Sequence, residues 1–393
     1  MLIGVVGKAN VGKSTFFKAA TLAPAEIGPY PFVTIKPNRA IAYVKVKCPA
    51  CEIGLKCNPG NSPCIDGYRF VPFELIDVAG LIPGAHEGLG LGNQFLDDLR
   101  QADALIHVVD AAGATDEKGN QIPPGTRDPK KDIIFLNEEI DFWIQNILIK
   151  HFRTKHNQKI SLNEIAEKLS GLKITKEQIH KAVRELDYDL SKIKEWSDEQ
   201  FLEFAIALRA KSKPILIAAN KCDIPIAREN TEKLKKEFPE YLIVPTSAES
   251  ELVLRGANEK KIIKYIPGES NFNLIGSPNE KQKQALEFVK EKVLKILGNT
   301  GVQQTLNNVV FNLLNYIVAF PVEDENKLTD GKGRVLPDAY LLPKGATALD
   351  LAYRIHSDIG DKFIGAIDCR TKRKIGKDTK LKNGDIIKIL TRK

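Results

Sequence analysis

The sequence predicts an α/β protein: a doubly wound, mostly parallel sheet, interrupted by a helical insertion and followed by a small mixed α/β module. Three observations carry this. An apolar run at residues 2–6 leads into Gly7-Lys8-Ala9-Asn10-Val11-Gly12-Lys13-Ser14-Thr15 and then into a helical run from Phe16. Further short apolar runs, at 70–76, 104–110, 214–219 and 242–244, alternate with helical patterns, as strands buried on both faces of a parallel sheet do. From residue 316 the pattern changes to short strands around one helix.

Composition bounds the function. The 393 residues exceed one typical core, so two or three domains are expected. Charged residues at 27% and apolar residues at 43% suit an ordinary globular protein. No run approaches the ~20 apolar residues of a membrane span, so no membrane partner is expected. Residues 1–7 enter a strand directly, which leads us to expect no leader and a cytoplasmic protein. The net charge of +8 favours an anionic partner such as RNA. Four of the six cysteines fall within 48–64, a clustering that suggests metal before disulfides in a cytosolic chain.

The stretch from Gly7 reads G-x-x-x-x-G-K-S, the phosphate-binding loop, in its strand–loop–helix context. A helix start leaves backbone N–H groups unpaired and aimed at anionic oxygens. The predicted cradle is Asn10, Val11, Gly12, Lys13, Ser14 and Thr15. Gly12 lets the backbone approach the phosphates, Lys13 reaches the outer ones, and the Ser14 hydroxyl binds Mg²⁺. A proline-broken loop at 23–37 carries Thr34, placed to become a second Mg²⁺ ligand. The strand at 70–76 ends in Asp77-Val78-Ala79-Gly80: Asp77 can hold Mg²⁺ through water, and the Gly80 N–H can bond the γ-phosphate. The segment after it holds Gly84, Gly88, Gly90 and Gly92 and can rearrange cheaply when a phosphate is lost. Asn220-Lys221-Cys222-Asp223 follows another apolar run. The Asp223 carboxylate can accept both donor N–H groups of a guanine edge, a pair that adenine does not offer. The backbone of Thr246-Ser247-Ala248 is placed to bond the guanine oxygen. The motifs in this order predict a P-loop NTPase fold that binds GTP and GDP, with Lys13, Thr34 and Gly80 around the reacting phosphate.

On these residues the chain resembles the Obg–HflX superfamily of GTPases, close to the YchF branch and to its archaeal and fungal members. Residues 28–38, Gly-Pro-Tyr-Pro-Phe-Val-Thr-Ile-Lys-Pro-Asn, resemble the first switch, and residues 77–96 the second. The resemblance implies a ribosome- or translation-linked GTPase. Leu81 sits where Ras-like enzymes carry the water-orienting glutamine, which implies slow intrinsic hydrolysis. Asn10 resembles the asparagine by which several such GTPases bind K⁺; the alternative is a loop-stabilising hydrogen bond. His86 is either a water-positioning group or a solvated switch histidine. Core YchF proteins resemble ATPases that have lost the base-selecting aspartate. Asp223 is intact here, so GTP is expected. A GTP-gated ribosome- or tRNA-binding switch with negligible hydrolysis is the first alternative, and a YchF-like ATPase the weaker second.

The remaining chain reads as appendages to a GTP-binding domain at 1–130 and 213–300. Cys48, Cys51, Cys57 and Cys64 lie in a turn-rich loop at 48–64 with no strand or helix pattern. Four thiolates on short turns suit a tetrahedral structural Zn²⁺; free thiols, or disulfides in a hyperthermophile, are the alternatives. Residues 131–212 form a helical insertion. There Ile133, Leu136, Ile140, Trp143 and Ile147 mark one apolar face, and helices are expected at 161–169, 175–186 and 198–210. One amphipathic helix is expected over 280–297, with Leu286, Val289, Val293 and Ile296 on its apolar face, and another over 301–314. Residues 316–393 read as a β-grasp layout: strands at 316–320, 339–342, 363–368 and 386–390, and a helix from Thr347 to about Ser357. This region resembles a TGS domain. It holds 16 Lys and Arg against 11 Asp and Glu. Arg370, Lys372, Arg373 and Lys374 cluster near a loop, either as a contact for rRNA or tRNA phosphates or as a solvated edge.

Overall fold

The computed structural model describes residues 1–21, 38–78, 80, 92–153 and 160–392. Thr34, Leu81 and His86 lie outside the described residues. By contacts the chain divides into two compact units: of the described residues, one gathers Met1–Ala20, 38–40 and Glu74–Thr305, the other Thr21, Ile41–Phe73 and residues 306–392.

The strands in chain order are β1 (Leu2–Val6), β2 (Arg39–Lys47), β3 (Cys64–Ile65), β4 (Tyr68–Asp77), β5 (Ala104–Asp110), β6 (Ile215–Asn220) and β7 (Leu242–Pro245). They form one sheet in the order β2-β4-β1-β5-β6-β7, with β3 paired to β4. β1 runs parallel to β4 and to β5, β5 to β6, and β6 to β7. Every residue of β1, β5 and β6 is buried, which is why these strands read as unbroken apolar runs rather than alternating ones. The register sets Val5 beside Asp77 and Asp110 beside Asn220. The chemistry-bearing residues therefore leave the sheet along one edge, at the carboxyl ends of its strands.

The insertion is helical as expected: Lys130–Phe152, Leu162–Leu169, Lys176–Leu186 and Asp198–Ser212. Ile133, Leu136, Ile140 and Trp143 are buried, and Ile147 packs against the same cluster as Leu136, Ile140 and Trp143. Ser161, Thr175 and Ser197 each cap a helix with the side-chain oxygen. The expected helix at 280–297 is interrupted. Its α-helical part is Glu280–Val289, and a π-helical turn spans Lys290–Leu294. The wider turn slips the phase of the apolar face. Leu286, Val289 and Val293 are buried as expected, whereas Ile296 is 50% exposed. A second π turn at Asn308–Leu313 follows the helix Val302–Asn307. A short hairpin of β8 (Ile263–Lys264) and β9 (Asn273–Leu274) had no sequence signal.

In the second unit, β10 (Tyr316–Val322), β11 (Tyr340–Pro343), β12 (Phe363–Asp368), β13 (Arg373–Ile375) and β14 (Asp385–Thr391) form a mixed sheet in the order β11-β10-β14-β12-β13. The helix Ala348–Ile355 covers one face through Ala348 and Leu351, which share a core with Ile317, Leu342 and Ile387. It stops at His356, close to the expected end near Ser357, and the His356 Nδ1 accepts from the Asp358 N–H and caps a second short helix. Arg370 and Lys372 lie in the turn at 369–372, and Arg373 and Lys374 open the edge strand β13 directly after it, so the cluster lies at a loop as expected.

The cysteine loop also corrects the sequence reading. It contains a helical turn, Pro49–Glu52, and the β3–β4 hairpin closed by Asp66 and Gly67. Their φ angles of 46° and 82° are the two left-handed positions that a tight hairpin turn needs.

Candidate functional site

The phosphate-loop sequence joins β1 to the helix Lys13–Thr21. Gly12 has φ 95°, and a Cβ built there would lie 2.2 Å from Asn220 Nδ2. Glycine is therefore required twice, by the backbone and by the side chain that fills its place. Asn220 Nδ2 donates to the Val11 carbonyl at 3.0 Å, and its Oδ1 accepts from the Ala248 N–H at 3.0 Å. One buried amide thus joins the phosphate loop, the N-K-x-D stretch and the T-S-A stretch.

Lys13 forms an ion pair with Asp77 at the end of β4, and the Ser14 side chain lies exposed at the start of the helix. The backbone at Ser14 and Thr15 belongs to the first helical turn, whose N–H groups have no acceptor within the helix. Lys221 has a left-handed φ of 68°, and its Nζ reaches Asp110 at 2.9 Å. Asp223 accepts from the Ser247 hydroxyl at 2.8 Å, which fixes the carboxylate. Ser247 N–H donates to Thr300 O at 2.8 Å and Ala248 N–H to Asn220, so both order the wall of the site. Gly80 follows Asp77 by three residues, and among the described residues nothing lies within 4 Å of the place a Cβ would take. Asn10 Nδ2 donates to Gly119 O at 2.9 Å, which is the loop-stabilising bond.

Several contributing residues carried no sequence signal. Asp110 is buried and accepts from Ala112 N–H, Ala114 N–H and the Thr115 hydroxyl, so its charge is held in place for Lys221. Its position at a strand end was the available clue. Lys8 Nζ is buried and meets Asp132 at 3.1 Å, and Asp132 also pairs with Arg127 at 3.1 Å. This pairing ties the phosphate loop to the first insertion helix across more than a hundred residues. Burial, with the Lys8 charge adding to it, pulls the His107 imidazole down to about 3, so it is neutral.

The second candidate centre lies in the other unit. The sulfur atoms of Cys48, Cys51, Cys57 and Cys64 lie within 4.8 Å of one another. All six cysteines are free thiols, so the disulfide alternative is not realised. A hydrogen bond from Cys64 pulls the Cys48 thiol down to about 4 against the effect of burial, with the Arg69 charge assisting, and the same bond pushes Cys64 up.

A glycine loop opening a helix, an aspartate ending the neighbouring strand and an N-K-x-D stretch, all on one sheet edge, define a P-loop GTPase fold. Residues 2–139 match the family described as 50S ribosome-binding GTPase. Residues 218–324 match the Obg-like GTPase YGR210-like, G4 motif-containing domain, and residues 330–391 match the TGS domain. The chain is 52% identical over 396 residues to an uncharacterized GTP-binding protein of Methanocaldococcus jannaschii, covering 99% of each. It is 33% identical to the ribosome-binding ATPase YchF of Bacillus subtilis over 66% of this chain and 69% of that protein. A solved structure of a GTP-binding protein from Pyrococcus horikoshii superposes over 100% of both chains with a TM-score of 0.77 at 39% identity. The chain belongs to the Obg-like, YchF-related family of P-loop GTPases with a C-terminal TGS domain. Among the described residues no helix is long and apolar enough to cross a membrane.

Proposed function

We propose that the chain binds Mg²⁺·GTP on this sheet edge and hydrolyses it slowly to GDP and phosphate, acting at the ribosome. The observation that carries the reading is Asn220, which couples the base-selecting stretch to the phosphate loop. Asp223, oriented by Ser247, accepts the guanine N1 and N2 protons. Asn10, Val11, Gly12 and Thr15 contribute the loop and backbone donors around the phosphates. Lys13 and Asp77 face each other where a metal–triphosphate would insert, with phosphate oxygens taking Lys13 and the metal taking the carboxylate side. The oxygen donors of Ser14 and Asp77, with Thr34 as a third, suit hard Mg²⁺, which would neutralise phosphate charge. Water attacks the γ-phosphorus and its proton passes to a phosphate oxygen, the bond to the β–γ bridging oxygen breaks, and that oxygen leaves with the electron pair. Lys13 and the Gly80 N–H stabilise the charge that develops. With Leu81 in place of a glutamine, turnover is slow. Asn10 Nδ2 holds Gly119 O, and its Oδ1 is the atom that would ligate K⁺, so faster hydrolysis in KCl than in NaCl tests that role.

We assign the chemistry to 1–130 with 213–300, and partner contacts to the insertion at 131–212 and to 316–393. The ribosome is the partner named for the matching family and for the Bacillus relative, and the β-grasp module carries exposed basic residues suited to rRNA or tRNA. That relative is named an ATPase, so ATP is the competing substrate. The deciding experiment is binding of fluorescent GTP, ATP and XTP to the chain and to Asp223→Asn. GTP over ATP is expected for the natural chain. The variant should prefer XTP, because the new amide N–H meets the 2-oxo group of xanthine. Equal GTP and ATP affinities in the natural chain would sink the reading. Pelleting with ribosomal subunits under a non-hydrolysable GTP analogue, and not under GDP, tests the partner.

A further inference from the structure

Arg69 is fully buried, in the second unit, and its hydrogen-bond partners among the described residues are neutral oxygens. Its Nε and Nη2 donate to the Ser62 hydroxyl at 3.2 and 2.7 Å, Nη1 to Leu336 O at 2.7 Å, and Nη2 to Pro337 O at 3.0 Å. Its guanidinium lies over the Phe320 ring, 5.6 Å from the centroid. Among the described residues no carboxylate pairs with it. A buried guanidinium held by neutral acceptors alone is costly, so a countercharge is called for. The cysteine centre can supply it, since Arg69 is the cross-strand partner of Cys64 in the β3–β4 hairpin.

The four cysteine sulfurs lie within 4.8 Å of one another, close enough for one ion to take all four. Cys51 and Cys64 sulfurs are 3.8 Å apart, which is about the edge of a tetrahedron with Zn–S near 2.3 Å. Cys48 N–H donates to Gly67 O at 2.8 Å, so the hairpin turn positions the helical turn carrying the first two thiols. Four thiolates with Zn²⁺ carry a net charge of about −2 and leave no position open for a substrate.

The same loop is strapped to the segment beside β11. Asn58 exchanges hydrogen bonds with Val335, its N–H donating to the carbonyl and its Oδ1 accepting from the N–H. Gly60 N–H donates to Pro337 O at 2.6 Å. Asn61 exchanges two with Ala339, at 3.1 and 2.9 Å, and its own N–H donates to Asp338. These residues lie between Cys57 and Cys64, so the geometry of the strap depends on the spacing of those two thiols.

We propose that Cys48, Cys51, Cys57 and Cys64 hold a structural Zn²⁺ whose thiolate charge balances Arg69 and so fastens residues 335–339 to the cysteine loop. The site supplies no reacting group. It is a latch within the β-grasp unit and is independent of the nucleotide reading.

The test uses the full chain, purified under reducing conditions from zinc-replete medium. An equimolar zinc content is expected. Replacing the zinc with Co²⁺ should give the intense sulfur-to-metal charge-transfer and visible bands of a tetrathiolate. Removing zinc with a zinc-selective chelator should speed amide exchange at 57–62 and 335–339 by more than tenfold, and adding zinc back should restore it. Cys64→Ser should bind zinc more weakly and show the fast exchange, but because it risks misfolding, the chelation arm on the natural chain carries the decision. Substoichiometric zinc with no tetrathiolate cobalt spectrum, or iron in its place, would overturn the zinc site. Bound zinc whose removal leaves exchange at 335–339 unchanged would overturn the latch.

Discussion

Asn220 makes its contacts with both ends of a short amide, and neither partner has water to turn to. Asn220→Ala strands the Val11 carbonyl and the Ala248 N–H in the interior. Each stranded group costs about 1–3 kcal/mol, so urea unfolding should show a loss of a few kcal/mol, together with weaker GTP binding. His107 gives a test by pH. Its folded-state proton affinity lies at about 3, below the ordinary 6.5, so between those values the unfolded chain binds the extra proton. Stability is therefore fully present above pH 6.5 and falls as the pH drops toward 3. Relative to His107→Gln, the natural chain should lose roughly 1.4 kcal/mol per pH unit across that window, measured by denaturant melts from pH 7 to 4. The motif residues around these two were legible because each carries chemistry in a fixed spacing. Asp110, Lys8 and Asp132 were not, because an aspartate or lysine becomes informative only once its partner is known.

Helix starts were the elements read most surely, because a cap is a local contact over three residues. Thr175 and Ser197 each form a reciprocal box, with Gln178 and Gln200 returning the bond. Thr175→Ala should cost about 1 kcal/mol in the unfolding of the first unit. The interrupted helix shows the opposite case. Periodicity counts 3.6 residues per turn and cannot foresee a wider one, so the apolar stripe was extended to Ile296. Ile296→Gln should change stability by less than about 0.5 kcal/mol, whereas Val293→Ala, which is buried, should cost about 1–3 kcal/mol. Thermal and urea melts of the pair check the phase slip directly. The edge strand β13 escaped notice because three mostly charged residues give no alternation to read.

At the scale of the molecule, the cysteine loop and residues 306–393 form one compact unit although more than two hundred residues separate them in sequence. Cutting the chain at 315 would deprive Arg69, Asn58 and Asn61 of their partners, so truncation does not isolate the role of the basic module. Charge reversal of Arg373 and Lys374, exposed on β13, leaves that packing intact. If this edge meets RNA phosphate, the double Glu variant should weaken ribosome pelleting and flatten its salt dependence by about two phosphate contacts, with an unchanged melting temperature.

The sequence by itself determined the nucleotide-binding fold, the family and the order of the chemical motifs. Those signals are local: a glycine where the backbone must turn, a carboxylate for a guanine edge, an apolar run that must be buried. Only the tertiary structure decided that Asn220 closes the phosphate loop across 209 residues, that Lys8 finds Asp132, and that Arg69 is buried beside Cys64. Those pairings follow from which faces the packed sheets and helices bring together. A buried charge or amide takes its meaning from the partner that packing supplies.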